Sequence, residues 1–167
     1  KAENNFKLTA EELEEAITDK TKVVIIPFPN NPTGAIMTRE DLQPIVDVLK
    51  DKDIIILSDE IYAELTYGEN HVSIASFPEV RDKTIVISGF SKAYAMTGWR
   101  LGYAAGNAEV IKLMTSVQSH VTSNTNSIAQ YAGVEALNGP KDEIEKMVKK
   151  FEERRNLMID RIKNITG

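Results

Sequence analysis

Thr84-Ile-Val-Ile-Ser-Gly-Phe-Ser-Lys-Ala-Tyr-Ala-Met-Thr-Gly-Trp-Arg-Leu-Gly-Tyr103 joins a β-branched run to a loop that carries two cations, Lys92 and Arg100. Four consecutive β-branched residues, Thr84 to Ile87, read as a buried strand. An ammonium is seldom placed where such a strand ends. Glycine and small hydroxyl residues flank Lys92, so the loop reads as one that approaches something anionic closely. A lysine in this position can be a charge partner, a phosphate ligand or, desolvated near other cations, an amine nucleophile that forms Schiff bases with carbonyl compounds.

Working outward, two more apolar runs have the same character. Val23-Val-Ile-Ile26 ends in Pro27-Phe-Pro-Asn-Asn-Pro-Thr-Gly34, and Ile54-Ile-Ile-Leu57 ends in Ser58-Asp-Glu-Ile-Tyr62. Short continuous apolar runs bounded by turn signals predict strands buried on both faces. Thr9-Ala-Glu-Glu12 has capping-box spacing ahead of Leu13, Ala16 and Ile17, and Thr38 precedes Leu42, Ile45, Val46 and Leu49 at the helical period. Residues 60 to 83 read as loops and short helical turns. Leu101-Gly-Tyr-Ala-Ala-Gly106 is a fourth extended segment, too close behind the third for a helical crossover, and is therefore expected to run antiparallel.

Helices are predicted from Ala108 to Val121 and from Ile128 to Leu137, separated by Ser123-Asn-Thr-Asn126. After Gly139-Pro140, a final helix carries Ile144, Met147, Val148, Phe151, Met158, Ile162 and Ile165 on one stripe. About 25 residues at about 1.5 Å each span roughly 37 Å, long for this chain, so the stripe calls for a partner. Strands alternating with helices imply right-handed crossovers. The expected class is α/β, three-layer, with a mainly parallel sheet of three parallel strands and one antiparallel edge strand, flanked by helices.

Composition narrows the function classes. Of 167 residues, 42% are apolar and 27% charged, which suits one globular domain, and the net charge of -5 comes without a basic run. A nucleic-acid partner is therefore not expected. The chain has no cysteine, which excludes a disulfide framework and a thiolate metal site, and His71 and His120 stand apart without ligand spacing. They are read as surface or satisfied core residues. No apolar stretch reaches the ~20 residues of a membrane span, and the N-terminus does not read as a signal peptide. A cytoplasmic setting is the expectation. The chain starts at Lys1 and stops just after the last amphipathic segment, which reads as a piece of something longer.

In parallel sheets, ligands bind beyond the carboxyl ends of the strands. Those ends here carry Asn30, Asn31 and Thr33; Ser58, Asp59 and Tyr62; and Ser88, Ser91 and Lys92. Singly, each has a structural alternative: Asn-Asn-Pro-Thr-Gly is a turn signal, Asp59 can cap a turn, Tyr62 can be a half-buried aromatic, and Lys92 and Arg100 can be solvated cations. Their coincidence at three successive strand ends shifts the balance. An amide, a carboxylate, a phenol and an amine on one rim suit a cationic heteroaromatic aldehyde bearing a phosphate. Lys92 would hold the aldehyde as an imine, Asp59 would pair with a protonated ring nitrogen, Asn31 and Tyr62 would bond a ring phenolate oxygen, and Arg100 with nearby hydroxyls would take the phosphate. Pyridoxal 5'-phosphate is such a cofactor.

Asn30-Asn-Pro-Thr-Gly34, Ser58-Asp-Glu-Ile-Tyr62 and Ser88 to Tyr103, in this order, resemble the class I/II aminotransferases of the aspartate aminotransferase fold, fold type I. The ordered triple is far more specific than any one motif. The resemblance implies that Lys92 is the Schiff-base lysine, Asp59 the ring-nitrogen partner, Tyr62 and Asn31 the phenolate-oxygen partners, Ile61 a contact on one ring face and Arg100 the phosphate arginine. It also implies a cis Asn31–Pro32 bond. Many relatives place a phosphate serine three residues before the lysine; Gly89 stands there, so Ser88 or Ser91 is the expected substitute. Ser123 and Asn124 resemble a segment that approaches the neighbouring subunit's cofactor.

By the same resemblance, residues 1–140 would be the central part of a large domain with a seven-stranded sheet, and residues 141–167 the start of the long interdomain helix. The activity implied is transamination between an amino acid and a 2-oxo acid in a homodimer, with Lys92 also the general base. The Gly-rich phosphate loop, the aromatic on the other ring face and the substrate-carboxylate arginine would lie elsewhere, so these residues alone are expected not to transaminate. Two alternatives remain open at this point: a fold-sharing carbon-sulfur lyase that uses the same Lys92 and Asp59, and a non-catalytic scaffold.

Overall fold

The computed structural model describes residues 1–165. Strands β1 (Val23–Ile26), β2 (Ile55–Asp59), β3 (Thr84–Gly89) and β4 (Gly102–Ala105) alternate with helices α1 (Ala10–Ala16), α2 (Arg39–Leu49), α3 (Pro78–Arg81), α4 (Ala108–Val121), α5 (Ser127–Asn138) and α6 (Asp142–Ile162). The strands form one sheet in the order β1-β2-β3-β4. The first three run parallel, and β4 is antiparallel to β3. The α/β class and the mixed four-stranded sheet thus match the sequence expectation.

Helix starts follow their caps. Thr9 accepts from the Glu12 amide. Thr38 and Asp41 form a reciprocal capping box at the head of α2. At the far end of α2, Lys83 Nζ donates to the carbonyls of Leu49, Lys50 and Lys52 at 2.7 to 2.9 Å. A cation there satisfies orphan carbonyls and complements the helix dipole; it also ties α2 to the start of β3. Helix α6 is shorter than its apolar pattern suggests: it ends at Ile162, leaving Ile165 beyond it.

The two sheet faces differ. Ile26 and Ile56 are buried on one face with Ile45, Val46 and Leu49 of α2, and with Phe77 and Val80. Helix α2 supplies four residues of this core, because Leu42, Ile45, Val46 and Leu49 recur at the helical period. Pairing Val23 with Ile55, and Ile25 with Leu57, puts those residues on the other face. That face is open in part: Ile25 is 64% exposed and Val23 45%. Burial of β1 on both faces, expected from its continuous apolar run, is therefore not found within this chain. The apolar run remains a sound strand signal; the covering layer is what these residues do not supply.

Candidate active site

The topology makes a single rim. Three parallel neighbours bring the carboxyl ends of β1, β2 and β3 to one side, and the antiparallel β4 begins on that side, where Gly89 pairs with Gly102. Adjacent strands lie about 4.8 Å apart, so residues just beyond these ends converge. Asn31 follows β1, Asp59 ends β2, Lys92 follows β3, and Arg100 precedes β4.

Side chains from different strand ends meet there. Asn31 Nδ2 donates to the Tyr62 hydroxyl at 3.3 Å across 31 residues of sequence. Lys92 Nζ lies 5.5 Å from the centroid of the Tyr62 ring, inside the range of a cation–π contact. Asp59 Oδ1 accepts from the Ile61 amide at 3.2 Å, which fixes the carboxylate against its own turn. Ile61 and Tyr62 are half-buried, and Asn31 is exposed. Pro32 follows Asn31 through a cis bond, as the resemblance implies, and Phe28–Pro29, for which no such expectation arose, is cis as well.

The phosphate candidates separate. Asp59 pairs with Ile87, so Ser88 falls on the opposite face of the sheet, and its hydroxyl donates to the Glu60 carbonyl at 3.3 Å. Ser88 and Asp59 are therefore not brought together. Ser91 sits half-buried in the turn beside Lys92. Arg100 takes a left-handed backbone with φ 51° and donates to the Thr97 carbonyl at 2.8 Å. A cleft beside it is lined by Ala95, Trp99, Asn124 and Thr125. Asn124 thus lies in Arg100's surroundings, because α5 packs closely on the strand ends: a Cβ on Gly133 would come within 2.6 Å of Leu101 Cδ2.

Gly89 has a steric reason to be glycine. A Cβ there would lie 2.8 Å from Gly102 Cα and 3.0 Å from the Leu101 carbonyl, too close for any side chain. The close approach of β4 excludes a serine three residues before Lys92.

Sequence reasoning passed over one group. Glu60 is buried behind the rim, accepting from the Ser58 hydroxyl at 2.8 Å and the Ser73 hydroxyl at 2.6 Å. His71 Nε2 stands 3.0 Å from Glu60 Oε2, off the line of a full hydrogen bond. Burial alone would raise the Glu60 carboxyl, but His71, Ser73 and Ser58 outweigh it and hold the group below its ordinary value. The sequence expectation of a surface or satisfied core histidine is not met: His71 is partly buried beside Glu60, and its Nε2 makes no well-aligned hydrogen bond. Strand alternation was the available signal: Ser58 and Glu60 flank Asp59 and must face away from it. Ser58, counted among rim residues on position alone, faces the core.

The donor set fits a phosphorylated pyridine aldehyde. One amine stands by a phenol–amide pair, a carboxylate without a cationic partner among the described residues occupies the next strand, and an arginine precedes the fourth.

Residues 1–167 match the family model for aminotransferase class I and II. The chain is 52% identical to an aspartate aminotransferase of Bacillus sp. (strain YM-2) and 50% identical to one of Geobacillus stearothermophilus, over 99% of this chain and 43% and 42% of those proteins. Among solved structures, the aspartate aminotransferase of Rhizobium meliloti superposes with a TM-score of 0.97 at 42% identity, over 100% of this chain and 42% of that one. An aromatic aminotransferase from Pyrococcus horikoshii OT3 gives 0.93 at 38% identity, over 98% and 44%. The chain spans less than half the length of these relatives. Matched along its whole length by the family model, it belongs to the class I and II aminotransferases.

Proposed function

We propose that this chain is the central part of the cofactor-binding large domain of a pyridoxal-phosphate-dependent aminotransferase, with residues 1–140 in that domain and residues 141–167 starting the interdomain helix. The full-length protein exchanges an amino group between an amino acid and a 2-oxo acid. The observation that carries this reading is the meeting of Lys92, Tyr62 and Asn31 from three separate segments, with Asp59 on the strand between them. A cytoplasmic homodimer is part of the same reading and rests on the family.

When bound, pyridoxal 5'-phosphate supplies a carbonyl that exchanges for an amino group and a ring that draws electrons from it. Each residue has one task toward it. Lys92 Nζ would be the amine that holds the aldehyde and, as a free amine, would serve as the general base for the proton on the substrate α-carbon. The Asp59 carboxylate would accept from the ring N–H and keep that nitrogen charged. Asn31 Nδ2 and the Tyr62 hydroxyl would donate to the ring oxygen, Ile61 would pack on the ring, and Arg100 with Ser91 would hold the phosphate. Ser88, on the opposite face, supports the frame through Glu60.

Borohydride reduction of the full-length protein loaded with cofactor tests the assignment. The expected result is a cofactor adduct on the peptide containing Lys92, absent in Lys92→Ala; an adduct on another lysine, or none, overturns it. Product analysis completes the test. A new amino acid supports transamination, whereas pyruvate and ammonia from a substrate with a β leaving group would give the reaction to a carbon-sulfur lyase.

A further inference from the structure

We infer that Glu60 is a positioning residue for the candidate active site: its buried carboxylate clamps the end of β2 to the returning segment at His71 and Ser73, and so sets how Asp59 and Tyr62 face the rim. The inference rests on the proposed function.

Four features of the structure carry it. First, Glu60 adjoins Asp59 but faces away from it, because successive strand residues alternate. Second, its two carboxylate oxygens join two segments: Ser58 within β2, and the returning segment through Ser73, thirteen residues on, and His71. Tyr62 lies inside the segment closed by these contacts, so the clamp limits where its hydroxyl can go. Third, the Glu60 backbone is held as well, its amide donating to the Ile87 carbonyl at 2.8 Å and its carbonyl accepting from Ser88 Oγ. The peptide that follows Asp59 is thereby locked to β3, the strand that leads to Lys92. Fourth, a buried carboxylate is costly unless paired; its side chain is only 8% exposed, and an apolar residue would fill such a place more cheaply if packing were its only task.

A purely structural carboxylate would support the fold without coupling to Asp59, and a double-mutant cycle separates the two cases. The experiment uses the full-length protein and pyridoxal phosphate labelled with 15N in the ring. Affinity for the cofactor and the ring-nitrogen chemical shift are measured for the unaltered protein, Glu60→Gln, Asp59→Asn and the double variant. Glutamine keeps a hydrogen-bonding oxygen for the serines but gives up the charge facing His71. The expected result for Glu60→Gln is a loss of affinity of about tenfold, the order that outer hydrogen-bond partners of a site carry, with the nitrogen signal moved toward the unprotonated form. Adding Glu60→Gln to Asp59→Asn should then cost little more.

Losses that simply multiply, or an unmoved nitrogen signal, overturn the inference. His71→Gln opens the clamp from its other side and carries the same expectations should Glu60→Gln fail to fold. If the unaltered protein binds no cofactor at Lys92, both the inference and the proposed function fall. If it binds there and the losses multiply, only the inference does.

Discussion

At the scale of single residues, the site depends on contacts that are individually weak. The Asn31–Tyr62 hydrogen bond is 3.3 Å long and exposed, and such a bond contributes about 0.5–1.5 kcal/mol net. Tyr62→Phe in the full-length protein should therefore leave folding stability within that range while lowering affinity for pyridoxal phosphate several-fold; equal affinities in a cofactor titration would remove Tyr62 from the site. Glu60 makes a different prediction. Its carboxyl lies lower in the folded chain than its ordinary value of 4.5. The stability it contributes is complete above that value and is lost as pH falls through the lower, folded value. Glu60→Gln lacks this component, so it should be less stable near neutral pH yet lose less stability on acidification. Denaturant midpoints measured at intervals from pH 7 downward check this, and parallel curves for the two proteins would refute it.

At the scale of elements, most of the architecture was legible because its signals are local. Val23 to Ile26 is a strand with the boundaries its apolar run suggests. Thr38 caps α2 through the spacing that Asp41 completes. Thr38→Ala should cost about 1 kcal/mol, seen as a lower denaturant midpoint with an unchanged slope; no shift would show that Asp41 alone holds the helix start. What the sequence concealed depends on approach between segments far apart in the chain. Nothing local marks Lys83 as the cap of α2, or Glu60 as the partner of His71, because both contacts exist only after the strands pair. Gly89 is similar: its need for glycine comes from Gly102 on the next strand. Gly89→Ser should destabilise the protein by more than about 1 kcal/mol through overpacking, and full stability in that variant would mean that β4 can move aside. For the site, Lys92, Asp59, Tyr62 and Asn31 were legible as the ends of three parallel strands, whereas the facing of Ser88 follows from register alone.

At the scale of the whole molecule, the apolar surface left open decides how a polypeptide of these 167 residues alone would behave. Ile25 and Val23 face outward on the sheet, Leu113, Val117 and Val121 on α4, and Tyr131 and Ile128 on α5, each at least 45% exposed. Monomeric proteins rarely leave contiguous apolar patches beyond a few hundred Å², and the edge of β1 adds unpaired backbone groups. The relatives are more than twice as long, so their additional residues are available to cover such faces. The isolated polypeptide should therefore associate in a concentration-dependent way, with Ile25→Lys and Val117→Lys together weakening that association. On the proposed function, it should also give no transamination. Sedimentation velocity over a range of concentrations reads the first expectation and amino-acid production from a 2-oxo acid the second. A stable monomer would mean that α4, α5 and the open sheet face shield one another in solution more than the structure indicates, while turnover would mean that Lys92, Asp59 and Arg100 suffice without any further segment.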